Sequence, residues 1–393
     1  MGGDAGIPLW SWHGNMTYPA TVEGYRTLAA RRLPRMVFDY LDGGAEAERG
    51  LARNMDAFAR VCFRPRRLVD VSQRDLSATL FGRRLSMPLV VAPTGLNGAL
   101  WPDGDVLLAQ AAVTAGIPFA LSTASTTSIE EVADRAGGDL WFQLYVVQRA
   151  LAEGLTRRAL AAGYTTLVLT VDVPVNGKRV RDLRNGFAVP FRPSIRTAMD
   201  VARHPAWLLR QLRHGLPQLA NFREAGGGSD VNAQAALMKR QMDASFAWND
   251  LKALRQSWPR TLVVKGICRA EDAEQCEALG ADAVVLSNHG GRQLDDTPAP
   301  LTLLPGMAGR LSRPVLVDSG VRRGADVVKA VALGASAVLL GRATLYGLAA
   351  RGGAGAAHVL ELLRAEIDTT LALLGRSSVA ALEPDDVTME AAR

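Results

Sequence analysis

Cysteine is scarce in this chain: Cys62, Cys268 and Cys276 are the only three in 393 residues. Their spacing suits neither a metal-ligand pattern nor a disulfide framework, so free thiols in a reducing compartment and no bound metal are expected. A long uncharged run is missing too. The least charged stretch, residues 87–102, is interrupted by Pro88, Pro93, Gly95 and Gly98 and is too short to span a bilayer. The opening residues, MGGDAGIPLWSWHGN, have no basic stretch ahead of an apolar one, which argues against a secretory signal, and Gly6 stands where a myristoylation signal wants Ser or Thr.

Charge of one sign does not dominate. Lys and Arg number 45 against 39 Asp and Glu, a net charge of +6, and the sequence pI is near 9.5. That balance admits nucleic acid, a membrane surface or acidic substrates, and the placement of the charges separates them. Most arginines are interleaved with acids, as on a solvated surface, so no nucleic-acid partner is expected. Residues 192–214 differ, with Arg192, Arg196, Arg203, Arg210 and Arg213 against the single acid Asp200.

From residue 88 onward, eight aliphatic runs alternate with helix-compatible stretches: 88–93, 117–122, 140–145, 165–171, 261–266, 282–287, 314–319 and 336–341. Helices are expected between them at 104–115, 129–136, 149–162, 247–257, 270–279 and 324–333. Ser128 is placed to cap one start, and Gly116, Gly163, Gly280 and Gly334 to follow helix ends. Eight βα units in series predict a closed (β/α)8 TIM barrel. A doubly wound open sheet is the alternative, but 93–104 lacks its glycine-rich nucleotide loop.

The organisation read from this pattern is an N-terminal helical extension over 1–87, with a helix at 34–42, a barrel over 88–375 and a C-terminal tail over 376–393. A long loop after strand four, 172–246, exceeds ordinary connections and is expected to be functional, with AGGGSD at 225–230 as a hinge.

Active sites of such barrels form at the C-terminal ends of the strands. Those ends carry Pro93 and Thr94, Ser122, Gln143 and Tyr145, Thr170 and Asp172, Lys265, Ser287 with His289 and Arg292, Asp318 with Gly320 and Arg322, and Gly341 with Arg342. Of the five histidines, only His289 falls just past a strand. An imidazole that titrates near neutrality suits a general base, and Asp172 could set its tautomer. The glycines and arginines ending strands seven and eight read as a phosphate site. Lys265 has two readings, a Schiff-base nucleophile of a lyase or a fixed positive charge.

The set LPRMVFDYLDGGAE (33–46), RPRRLVDVS (64–72), APTG (92–95), WFQLY (141–145), TVDVPVNGKR (170–179), VKG (264–266), SNHGGRQLD (287–295), DSGVRRGAD (318–326) and LLGRA (339–343) resembles the FMN-dependent 2-hydroxy acid oxidase and dehydrogenase family over nearly the whole chain. The resemblance implies FMN contacts from Pro93, Thr94, Gly95, Ser122, Gln143, Thr170, Lys265 and Ser287. Asp318 would reach the ribityl chain, and Gly320, Arg322, Gly341 and Arg342 the phosphate. It implies His289 as catalytic base paired with Asp172, Tyr145 near the substrate hydroxyl, and Arg292, Arg179 and Tyr40 on the substrate carboxylate.

Ala124 stands where small-acid oxidases carry a large aromatic residue, and Gly95 replaces an Ala common beside the flavin. With APTGLNGALWP, GLPQLANF, RQMDASF and GRATLYGLAARG, these resemble the branch that oxidises aryl 2-hydroxy acids. (S)-mandelate converted to benzoylformate is therefore the implied reaction, with electrons passing to a membrane quinone. Oxidation by O2 with release of H2O2, or lactate as substrate, are the alternatives. In residues 203–222, Trp207, Leu208, Leu209, Leu212 and Leu216 interleave with Arg210 and Arg213. That pattern reads either as a helix lying in a membrane interface or as an amphipathic helix packed on the barrel. Residues 188–230 are expected to hold the protein peripherally on the cytoplasmic side of the inner membrane, and a homotetramer is implied by the family.

Overall fold

The computed structural model describes residues 18–186, 194–215, 217–222 and 242–390. Eight parallel strands, Leu89–Val91, Phe119–Ser122, Leu140–Leu144, Thr166–Thr170, Thr261–Ile267, Ala283–Leu286, Val315–Val317 and Ala337–Leu340, pair in chain order. Strand eight closes on strand one, with Leu340 opposite Val91. This is the predicted (β/α)8 barrel, and closure rules out the doubly wound sheet. Each strand coincides with one of the aliphatic runs; six stop short of the run's end, Phe119–Ser122 reaches it, and Thr261–Ile267 extends one residue beyond.

Both faces of each strand are buried, which is why the runs are continuous rather than alternating. One face packs against the surrounding helices. The other fills the barrel with Val90, Ala120, Trp141, Val168, Val263, Val285, Leu316 and Leu339. A hairpin absent from the sequence reading, Ala78–Leu80 with Arg83–Leu85, plugs the end where the strands begin. Its Leu80 and Leu85 join that inner cluster, and Phe81 lies 5.7 Å from Trp141.

Local signals behave as expected. The Ser128 hydroxyl accepts from the Glu131 amide at the start of Ile129–Ala136, and Gly116, Gly163, Gly280 and Gly334 all take positive φ just after helices. The N-terminal extension holds three helices, Val22–Arg32, Arg35–Asp42 and Arg49–Ala59. The second carries buried Asp42, which accepts from Arg26, Arg181 and Tyr346. Burial pushes the Asp42 carboxyl up, but the Arg26 hydrogen bond and its other partners outweigh this and hold it well below the usual carboxylate range.

The C-terminal segment is not a detached tail. Val387–Met389 pairs antiparallel with Val61–Phe63, and buried Arg376 is paired with Asp386 at 2.8 Å. Two segments far apart in sequence thus form one ribbon, which no local pattern announces.

The connection after strand four is not structureless. It contains helices Val180–Asn185, Ile195–Ala202 and Pro205–His214 and a turn at Ala220–Phe222. The AGGGSD hinge and Leu216 lie outside the described residues. Trp207, read from the sequence as an interfacial residue, is 7% exposed. Its indole N–H donates to Ala99 O, and Gln211 donates to Gly98 O. The helix is therefore docked on the barrel along that face, while Leu209 and Leu212 on its outer face are 52% and 69% exposed.

The last helix, Arg342–Leu374, bends at Arg351 and Gly352, and its first part folds back against its second. Side chains at Gly347 and Gly355 would each run into the other's carbonyl oxygen. Gly355→Ala should therefore destabilise the protein by about 1–3 kcal/mol through overpacking, measured as a lower urea midpoint at unchanged m-value. An unchanged midpoint would show that this contact opens freely.

Candidate active site

The strand ends meet in one cavity of about 770 Å³. Its walls include Tyr40, Pro93, Thr94, Gly95, Ser122, Ala124, Gln143, Tyr145, Thr170, Arg179, Lys265, His289, Arg292, Asp318, Gly320, Arg322, Gly341 and Arg342. Two of the residues singled out in the sequence, Asp172 and Ser287, stand one layer behind and act on residues that line it.

His289 sits at φ 57, followed by Gly290 and Gly291 also at positive φ, so the chain turns sharply and presents the imidazole to the cavity. Its Nδ1 lies 3.0 Å from Asp172 Oδ1 and its Nε2 3.2 Å from the Tyr145 hydroxyl. An ionised carboxylate only accepts, so Nδ1 carries the hydrogen and Nε2 keeps its lone pair. Burial pushes the His289 imidazole below its ordinary value, and Asp172 only partly offsets this. The ring is neutral at pH 7. Burial pushes the Asp172 carboxyl up, but the Nδ1–H that His289 donates to it and the charge of Lys265 outweigh this and hold it below the ordinary carboxylate value. Asp172 reaches this position across Gly266, where a side chain would stand 2.7 Å from the Asp172 Cβ. The VKG motif supplies both the charge and the room beside it.

Lys265 is buried, with Nζ 2.8 Å from Ser287 Oγ and 2.9 Å from Asp318 Oδ2. Burial pushes its ammonium down, but Asp318 and Asp172 outweigh that and hold it above the ordinary lysine value. A Schiff-base nucleophile must be neutral, so of the two sequence readings the fixed positive charge survives.

At the far end of the cavity Arg342 donates to the carbonyls of Leu41, Gly290 and Gly43. Burial first, then the charge of Arg292, pushes its guanidinium down to about 9. Arg322 lies beside it, over the Tyr346 ring. Cations gathered on neutral carbonyls suit an anion such as phosphate.

FMN, implied by the sequence, fits these walls. Ser122 Oγ donates to Gln143 Oε1 at 2.9 Å, which leaves Gln143 Nε2 buried without a protein partner; Thr170 Oγ1 is likewise unsatisfied. Buried polar atoms left open on a cavity wall call for a ligand that bonds them. Gln143 and Thr170 could serve a polar ring edge beside Lys265, with Arg322, Arg342 and the glycine-rich strand ends around a phosphate.

Beside Arg342, Arg292 Nη1 donates to the same Gly43 O at 2.7 Å, and its guanidinium lies 5.2 Å from the Tyr40 ring. The sequence reading missed the wall beside Ala124. Leu96, Leu219 and Met242 line the cavity there, backed by Phe222 and Val147. Asn221, fully buried, pins this returning part of the long connection: it accepts from the Ile129 amide at 3.0 Å and donates to Ser125 Oγ at 2.9 Å. The motif GLPQLANF contains both Leu219 and Asn221, but its position in sequence does not reveal which cavity they face.

A sequence model of the FMN-dependent dehydrogenase family matches residues 29–389. The (S)-mandelate dehydrogenase of Pseudomonas putida is 58% identical over 364 residues, 93% of this chain and 92% of that one. An L-lactate dehydrogenase of Caulobacter vibrioides is 44% identical over 91% of this chain and 94% of its own. Among solved structures, a monotopic membrane protein, (S)-mandelate dehydrogenase, superposes with TM-score 0.92 at 57% identity, covering 95% of this chain and all of the other. A mandelate oxidase does so with TM-score 0.80 at 35% identity, over 95% of this chain and 100% of its own. The chain belongs to the FMN-dependent dehydrogenase family and is an FMN-dependent oxidoreductase.

Proposed function

We propose that the protein oxidises an (S)-2-hydroxy acid bearing an aryl group, (S)-mandelate or a close analogue, to the 2-oxo acid, benzoylformate. The observation that carries this reading is the apolar wall of Leu96, Ala124, Leu219 and Met242 in the same cavity as the His289–Asp172 pair. A phenyl group needs such a wall, and lactate or glycolate would leave it unfilled. Electrons pass on to a membrane quinone at the cytoplasmic side of the inner membrane, and the enzyme works as a homotetramer.

FMN supplies the two-electron acceptor. Gln143, Thr170, Ser122 and the Pro93–Gly95 backbone hold its ring system, Lys265 presents a positive charge to it with Ser287 fixing that ammonium, and Asp318, Gly320, Arg322, Gly341 and Arg342 hold the ribityl phosphate. Arg292 and Arg179 clamp the substrate carboxylate, with Tyr40 alongside. A planar fork meets a carboxylate through two parallel hydrogen bonds, which an ammonium cannot reproduce. His289 takes a substrate proton at Nε2, Tyr145 orients the hydroxyl, and Asp172 stabilises the imidazolium.

The membrane part rests on Leu209, Leu212, Ile195 (82% exposed) and Met199, which project from two helices beside exposed Arg196, Arg203 and Arg213. No helix among the described residues is long and apolar enough to cross a membrane, so attachment is to the surface. Free Cys62, Cys268 and Cys276 suit the cytoplasmic side. Support for assembly comes from Leu68, fully exposed at φ 59, with exposed Val69 and Leu373.

Ala124→Trp should lower kcat/KM for (S)-mandelate by roughly tenfold or more relative to lactate, since one lost fit in a pocket is worth about 1–3 kcal/mol. Equal loss on both would remove Ala124 from the aryl pocket and favour lactate.

The proton role is tested by pH. Asp172 raises the His289 pKa, so Asp172→Asn lets it fall further. The acid limb of anaerobic flavin reduction should move to lower pH while the plateau rate drops roughly 10²-fold. An unmoved limb would take His289 out of the proton transfer.

For the membrane, wholesale removal of 188–230 would also remove Leu219 and Asn221 from the site. The combined substitution Ile195→Gln, Met199→Gln, Leu209→Gln and Leu212→Gln should instead release the enzyme from sedimenting membranes while leaving mandelate-driven flavin bleaching intact. Wild-type protein that stays in the soluble fraction and yields stoichiometric H2O2 would replace the quinone with oxygen.

A further inference from the structure

Away from the active-site cavity, three arginines from distant parts of the chain share one space. Arg32 ends the helix Val22–Arg32 and donates to Ala350 O. Arg351 follows Ala350 at the bend of the last helix, and its guanidinium lies 4.5 Å from the Tyr18 ring. Arg210, in the helix Pro205–His214, lies 4.2 Å over the Trp101 ring. Trp101 completes the circle, packing so closely on Gly352 that a Cβ there would stand 2.8 Å from the indole.

Where Arg26 and Arg181 come together, Asp42 lies between them. Here neither Arg32 nor Arg210 has a carboxylate within salt-bridge distance among the described residues, and Arg210 Nε is buried without a partner. The acid near Tyr25 and His358, Glu361, is exposed on the surface. Burial pushes the Arg32 guanidinium below its ordinary value and the charge of Arg351 adds to this; for Arg210, burial and then Arg32 do the same. Half-buried like charges that repel one another are stabilised by an anion placed among them.

We propose that Arg32, Arg210 and Arg351 form a binding site for the phosphodiester headgroup of an anionic membrane lipid. The apolar surroundings select this source over a free phosphate: Leu209 and Leu212 project into solvent from the same helix as Arg210, where acyl chains would lie once the headgroup is seated. The inference rests on the membrane-surface reading and adds to it a defined site in place of a diffuse charge.

The test uses flotation of the full-length holoenzyme with vesicles of phosphatidylcholine alone and of phosphatidylcholine doped with phosphatidylglycerol. Arg210→Gln and Arg32→Gln should each lower partition onto the doped vesicles by roughly tenfold or more, as for lost charge-assisted hydrogen bonds. Arg213→Gln removes the same charge from an exposed position of the same helix and should cost about fivefold or less. Partition onto neutral vesicles should not change, and the flavin absorbance of each variant reports that it is folded. Equal losses for Arg210→Gln and Arg213→Gln would overturn the site in favour of a diffuse field. Inorganic phosphate at matched ionic strength should leave the thermal midpoint unchanged; a rise in wild type that Arg210→Gln abolishes, without preference for doped vesicles, would make the ligand free phosphate and overturn the lipid assignment. Failure of the underlying reading looks different, because wild type would then bind neither vesicle.

Discussion

Lys265 carries its charge inside the barrel mouth, where an ammonium ion taken out of water loses several kcal/mol of solvation. It stays charged because Asp318 and Asp172 sit close enough to outweigh that loss. The rest of the site follows from this ion. Asp172 stays ionised through its proximity to Lys265 and His289. An ionised Asp172 in turn dictates which nitrogen of His289 carries hydrogen and which faces the substrate. Ser287, which looks in the sequence like one more ligand contact, accepts from both the Lys265 ammonium and the His289 amide. It ties the charge to the loop that carries the base.

The barrel makes this arrangement possible by geometry rather than by local preference. Strands four to six run side by side, so Asp172, Lys265 and Ser287 arrive at neighbouring ends without any of them being near in sequence. Elements outside the barrel finish the work. The N-terminal extension contributes Tyr40 and the Gly43 carbonyl, which accepts from Arg292 and Arg342 together. The returning part of the long connection contributes Leu219, held by Asn221. Each of these depends on packing against loops that follow strands one, two or six.

The helix Pro205–His214 illustrates how one amphipathic pattern serves two surfaces. Trp207 and Gln211 face inward and bond the carbonyls of Gly98 and Ala99, next to Leu96 and Leu100 of the cavity wall. Leu209, Leu212 and Arg213 face outward. The exposed apolar face proposed for membrane attachment is thus built on the same short helix that braces the site.

Much of this was legible in the sequence. Strands buried on both sides must be continuous aliphatic runs, so their number and order gave the barrel, and function in a barrel collects at strand ends, so His289, Asp172, Lys265, Gln143 and the arginines could be read from position alone. Charge state was not legible: Lys265 has two chemistries in sequence, and only the distances to Asp318 and Ser287 choose between them. Nor were the contacts of high sequence separation. The pairing of Val61–Phe63 with Val387–Met389, the inward turn of Trp207, the pocket wall from Leu219 and Met242 and the gathering of Arg32, Arg210 and Arg351 leave no local periodicity. The sequence by itself determined the elements, their order and the chemical groups at the barrel mouth, because hydrophobic period and turn chemistry act over a few residues. Tertiary structure alone decided which groups are ionised and which surfaces meet, because solvation and Coulomb energies depend on distance through space rather than along the chain.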